Sequence, residues 1–216
     1  MQRLADGVHS FQEHYFAGHR EFFRQLAERG QAPETLFITC SDSRVVPTLL
    51  TSTEPGELFI VRNVGNIVPH VSMPGGTAAA IEYAIEALHV QNVVVCGHTH
   101  CGAMQAVLDP ASVARLPLVN RWLAQTDRVR MIVRERYKHL EGDALVTAAS
   151  MENVLVQLEN LREFSFVAER LDRGMLRMSG WVFMIETGAV FEFEPSTGQF
   201  MDIARNSVRP PALTSP

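Results

Sequence analysis

The feature that most constrains this chain is a repeat of short, unbroken apolar runs. Leu36-Phe37-Ile38-Thr39-Cys40, Leu58-Phe59-Ile60-Val61 and Val93-Val94-Val95-Cys96 are too short for helices and rich in β-branched residues. Runs apolar on both faces predict strands covered on both sides, as in a parallel sheet. Between the second and third, Gly75-Gly76 opens the helical pattern TAAAIEYAIEALH. Strand, crossover, strand, helix, strand is the order of an α/β sheet. With 46% hydrophobic residues among 216, the chain can fill the core of one domain.

The flanks complete the expected architecture. Phe11, Tyr15, Phe22 and Leu26 recur at helical intervals within residues 8–29, ending near Gly30, which predicts an N-terminal helical arm over about residues 1–33. Residues 117–139 and 150–173 are helical in pattern, with a loop around Glu141-Gly142-Asp143 between them. Leu176 to Ile185 and Val190 to Phe193 flank a predicted hairpin turn near Thr187-Gly188. After Asn206 the chain becomes proline-rich and polar. The expectation is therefore one domain over residues 1–206 and a flexible tail over 207–216. Its fold is a central, mostly parallel sheet flanked by helices, with a C-terminal antiparallel hairpin.

Charge and cysteine content narrow the function classes. Lys and Arg number 19 against 24 Asp and Glu, a formal net charge of −5. That balance carries no electrostatic footprint for nucleic acid or an anionic membrane. The first residues lack the apolar core of a secretory signal, and the apolar stretch from Thr77 to Val90 holds Glu82 and Glu86, which a bilayer disfavours. Three cysteines make no disulfide framework, so a reducing compartment such as the cytoplasm is expected.

Two segments just past predicted strand ends concentrate the chemistry, where open α/β sheets place ligands. They are Cys40-Ser41-Asp42-Ser43-Arg44 and Gly97-His98-Thr99-His100-Cys101-Gly102. In extended chain, residues 40, 42 and 44 share one side. Thiolate is a soft zinc ligand, and arginine holds a carboxylate by a two-pronged contact. Cys40, His98 and Cys101 together make a Cys₂His set with a fourth position open, the pattern of catalytic zinc. On spacing alone a second reading stands beside it: buried core thiols and an ordinary Asp42–Arg44 loop pair. Cys96 reads as core. His100, next to Cys101, reads as a neighbour of the site or a solvent-facing group. Gly75-Gly76 reads as a helix entry, since a phosphate loop would want a lysine.

Cys-Ser-Asp-Ser-Arg followed by Gly-His-x-x-Cys-Gly resembles the zinc signature of the β-class carbonic anhydrases. GELFIVRNVGN, GTAAAIEYA, ENVLVQLENL and the GWVF hairpin extend the likeness, nearest to the plant and cyanobacterial branch. The resemblance implies one Zn²⁺ per subunit on Cys40, His98 and Cys101, and reversible hydration of carbon dioxide to bicarbonate by zinc-bound hydroxide. Two thiolates cancel the ion's charge, so the water is less acidified than on three histidines. Asp42 then accepts the hydroxide's hydrogen bond and aims it, while Arg44 keeps Asp42 ionised. Substrate contacts are implied for Gln31, Phe59, Val64, Tyr83 and Gly102, in a pocket completed across a homodimer or higher oligomer. Without the resemblance, Phe59 and Val64 read as strand core, Gln31 as a solvated loop residue and Tyr83 as a helix-face packer. Phe37, Thr39 and Phe183 stand where one branch carries the Trp, Gly and Tyr of a regulatory bicarbonate site. No such switch is expected here, and Asp42 is expected to leave the ion's fourth position open at neutral pH. His100 is a candidate proton acceptor. Hydrolysis of carbon disulfide or carbonyl sulfide on the same fold, or an inactive assembly subunit, are the alternatives; the latter predicts a missing ligand, and none is missing.

Overall fold

The computed structural model describes residues 1–73 and 75–204. Its chain divides into two compact units, Met1–Ala32 and a second beginning at Pro33. The first unit contains α1 (Gln2–Ser10), a π-helical segment (Phe11–Phe16) and α2 (Arg20–Arg29). Helical structure runs from Gln2 to Arg29, within the expected arm, and it breaks at His19, where φ is −121°. Aromatic packing accounts for the change. A π turn brings residues five apart onto one face, and it sets Phe11 and Phe16 6.1 Å apart, with Phe23 5.2 Å from Phe16. At the break, the His19 ring bonds the Tyr15 carbonyl at 2.7 Å.

In chain order, the second unit runs β1 (Thr35–Cys40), α3 (Pro47–Thr51), β2 (Leu58–Asn63) and α4 (Gly76–Glu82), which continues as a π turn to Ala87. Then come β3 (Asn92–His98), α5 (Gly102–Leu108), α6 (Pro117–Leu123), α7 (Asp127–Arg136), α8 (Gly142–Arg162) and α9 (Ser165–Asp172). It closes with β4 (Arg177–Phe183), β5 (Val190–Glu194) and β6 (Gln199–Asp202). The strands form one six-stranded sheet in the order β2-β1-β3-β4-β5-β6. The first four are mutually parallel, and β5 and β6 return antiparallel. This is the expected α/β architecture, with a further hairpin strand, β6, beyond the expected turn. The loop expected around residues 141–143 falls at residues 137–141, and α8 sets in at Gly142, ahead of residue 150. The expected tail, residues 207–216, lies outside the described residues, as does the boundary at 206. No described helix is long and apolar enough to cross a membrane.

Side-chain alternation divides the sheet into two faces. Leu36, Ile38, Val93 and Val95 join the larger core with Ile81, Val154 and Leu161. Phe37, Val94 and Cys96 point the other way, into a cluster with Trp181 and Phe183. Helix α8 lies so close to the sheet that two strand positions must be glycine. A Cβ on Gly97 would stand 2.9 Å from Val154 Cγ2, and one on Gly180 2.7 Å from Val154 Cγ1. Because β1 and β3 are parallel neighbours in register (Thr39 opposite Cys96), they finish side by side. That brings Cys40 and His98 to one edge of the sheet.

Candidate metal centre

Cys40 ends β1, His98 ends β3, and Cys101 caps the start of α5. All three are buried, and their donor atoms lie within 4.8 Å of one another. The His98 ring is fully enclosed, with Nδ1 2.8 Å from the Thr99 carbonyl. A carbonyl only accepts, so Nδ1 carries the hydrogen and Nε2 keeps its lone pair. Nε2 is buried with no hydrogen-bond partner among the described residues. An orphaned ring nitrogen facing two thiols is costly unless a cation takes the lone pair. Two sulfurs and one imidazole are the donors that zinc prefers, so the residues fit that ion.

The two thiols titrate as a pair. The hydrogen bond from Cys101 lowers the Cys40 thiol against the penalty of burial, helped by backbone amides, among them that of Gly65, 3.4 Å from its sulfur. The same contact with ionised Cys40, together with burial, raises Cys101. One thiolate is thus ready, and the second ionises when a cation arrives. Cys96, wholly desolvated, is pushed up to about 12.

Beside the cluster, Arg44 grips Asp42 through three hydrogen bonds. Its backbone N and Nε each donate to Oδ1 at 2.9 Å, and Nη2 donates to Oδ2 at 2.7 Å. The guanidinium holds the Asp42 carboxyl well below the usual carboxylate range. Nη2 of Arg44 also donates to the His100 carbonyl at 3.1 Å, which ties the two chemical segments together. Asp42 Oδ2 lies 3.9 Å from His98 Nε2.

A carbonic anhydrase family profile matches residues 35–190. The solved structure of the β-carbonic anhydrase CcaA superposes with a TM-score of 0.91 at 46% identity, over 94% of this chain and 91% of that one. The chain belongs to the β-class carbonic anhydrases. A carbonic anhydrase of Synechocystis is 47% identical over 90% of this chain and 71% of its own length. One from Pseudomonas aeruginosa is 42% identical over 95% of this chain and 93% of its own. Tetrameric β-carbonic anhydrases from Sordaria macrospora share the fold, with a TM-score of 0.81 at 29% identity over 88% of this chain and 95% of theirs. As a member of the family this protein is an enzyme of zinc-dependent, reversible carbon dioxide hydration.

The remaining residues singled out in the sequence of this carbonic anhydrase fall in several places. Phe59 on β2 is half-buried, its ring 6.1 Å from that of Tyr83, which is 50% exposed. Val64 is exposed, and its carbonyl accepts a 2.7 Å bond from Trp122. Gly102 opens α5 with free space where a Cβ would stand. His100 adopts φ 54°, with ring nitrogens 3.4 Å from Asp143 and 3.7 Å from Glu186. Gln31 is an exposed residue of the first unit. Phe37 and Phe183 pack in the apolar cluster of Cys96, and Thr39 donates to the Cys96 carbonyl at 2.9 Å.

Other residues of the site were given no role in the sequence, although Arg62 and Gly65 lie in the GELFIVRNVGN stretch. Arg62 donates to the carbonyls of Cys40 and Asp42 at 3.1 and 2.7 Å, which sets the path of the loop between them. Gly65, at φ 84°, has only 3.1 Å between an added Cβ and Ala103, so its amide can approach the Cys40 sulfur. Thr99 ties the ligand loop to the C-terminal hairpin. Its amide donates to the Phe183 carbonyl, and its hydroxyl donates to Glu186 at 2.7 Å while accepting from the Ile185 amide. Glu186 lies 87 residues along the chain from Thr99, beyond the reach of any spacing rule.

Proposed function

We propose that Cys40, His98 and Cys101 hold one zinc ion per subunit, and that Asp42 and Arg44 form the polar pair that works beside it. The observation that carries this reading is the buried, unpartnered Nε2 of His98 facing two thiols, next to a carboxylate clamped by arginine. When bound, zinc supplies the Lewis acid that makes a water nucleophilic near neutral pH. Asp42, kept ionised, has only acceptor oxygens. It therefore holds a proton of the reacting water and turns a lone pair toward carbon dioxide. With both carboxylate oxygens held by Arg44, Asp42 would be restrained from joining the three residues that would hold the ion.

In this reading Phe59, Val64 and Tyr83 form the apolar wall for carbon dioxide, and Gly102 lies beside the metal turn. Gln31 offers its side-chain amide to bicarbonate. A second copy of the chain completes the pocket, because Val64 and Tyr83 are 41% and 50% exposed on one chain alone. The assembly is then a homodimer or a multiple of it. His100, on the ligand turn and partly open to solvent, passes the released proton outward. The free state of all three cysteines fits a cytoplasmic enzyme. No observation favours carbon disulfide or carbonyl sulfide as the substrate.

Stopped-flow hydration with metal analysis, on the native enzyme and Asp42→Asn, tests the assignment. The variant is expected to keep its zinc and lose about 100-fold or more in rate. Equal rates would overturn the role given to Asp42.

A further inference from the structure

A second polar cavity lies at the opposite end of β3 from His98. It is a cleft of about 570 Å³ where β3 and β4 begin. Its polar lining comes from His89, Gln91, Asn92, Arg170 and Arg177, and no carboxylate is among the lining residues. In a chain of net charge −5, an acid-free lining with two arginines creates a local field for anions.

The donors are arranged in advance. Arg170 is largely buried, its side chain 14% exposed. Its Nε donates to Glu86 at 3.0 Å and its Nη2 to His89 Nδ1 at 2.9 Å. Arginine has no acceptor, so His89 Nδ1 must accept and His89 Nε2 must carry the ring hydrogen. Glu86 thus neutralises one edge of the guanidinium and fixes its plane. Nη1 of Arg170, Nε2 of His89 and the whole guanidinium of Arg177 have no protein partner among the described residues. Arg177 sits directly across from Asn92 in the β3–β4 register, so an amide side chain and a cation enter the cleft from adjacent strands.

We propose that this cleft binds a phosphate dianion, free or as a monoester. The unpaired Arg177 cation, the Nη1 edge of Arg170 and an imidazole N–H offer several donors to the acceptor oxygens of that group, and arginine binds phosphate in a two-pronged way. The cleft falls in the range of ligand pockets, about 300–1,000 Å³, so it has room for an organic body beyond the anion. This site is separate from the zinc reading and does not depend on it.

The test is calorimetric titration of the zinc-loaded enzyme at fixed ionic strength, with inorganic phosphate and with phenyl phosphate as probes. Saturable binding is expected, and the tighter probe tells free phosphate from monoester. Arg177→Gln, at an exposed position, is expected to lose at least about tenfold in affinity with zinc content and melting temperature unchanged. Arg170→Gln is expected to lose as much; should it fail to fold, Arg177→Gln still decides. Absence of saturation by either probe up to about 10 mM would overturn the proposal. So would equal affinity in Arg177→Gln, since the anion would then sit elsewhere, the metal centre included.

Discussion

Cys40, Cys96 and Cys101 are all buried, yet their surroundings separate their chemistry. The Cys101 thiol and backbone amides favour the Cys40 thiolate, whereas at Cys96 complete desolvation outweighs the contacts with the Thr39 hydroxyl and the Phe183 backbone. Because the thiolate is the reactive form, brief iodoacetamide treatment of zinc-stripped protein is expected to modify Cys40 and leave Cys96 untouched, read by peptide mass spectrometry. Zinc should protect Cys40. The clustering of Cys40 with His98 and Cys101, and the Asp42–Arg44 pair, were legible in the sequence because they come from two short segments at strand ends, where the local backbone sets side-chain direction. The support from Glu186 was not, for it depends on where a distant hairpin turn returns. Outer hydrogen bonds of this kind are worth about 10–100-fold in metal affinity. Glu186→Ala, which strips the Thr99 hydroxyl of its acceptor, is expected to release zinc to a chelator about that much faster, with unchanged far-ultraviolet circular dichroism.

Among the elements, the parallel strands were the most legible, because burial on both faces leaves an unbroken apolar run. Helix α8 was less so for the same physical reason. Val146, Ala149, Ser150, Asn153, Val154 and Gln157 are buried around its circumference, so no stripe marks its start. Short pieces such as α3, α5 and β6 span too few residues to establish a period. The contact of α8 with the sheet has a measurable consequence. Gly180→Ala places a methyl against Val154 and Leu158, and overpacking of this sort costs about 1–3 kcal/mol. Urea unfolding should show that loss. Val154→Ala in the same chain should recover part of it, giving a non-zero coupling energy in the double-mutant cycle.

At the scale of the whole molecule, the sequence motifs reach as far as the family, its zinc and its reaction. They do not reach the cleft beneath β3 and β4, whose lining is assembled from the turn after α4, the end of α9 and two strand starts. The donor triad also links distant parts of the chain, since it gathers the ends of β1 and β3 and the start of α5. Zinc removal by a chelator is therefore expected to lower the melting temperature, and added zinc to restore it, because a ligand of the folded state stabilises by mass action.

The hydrogen bonds that Thr99 shares with Phe183, Ile185 and Glu186 set a timetable for biosynthesis. On the ribosome, Cys40, His98 and Cys101 all emerge long before the residues that brace their loop. Until the closing hairpin is released from the exit tunnel, β3 has no β4 beside it and Thr99 has no anchor. A nascent chain can therefore meet zinc early but keep it firmly only once the hairpin that carries Glu186 has emerged, which makes firm retention of the ion wait on a segment 85 residues beyond Cys101.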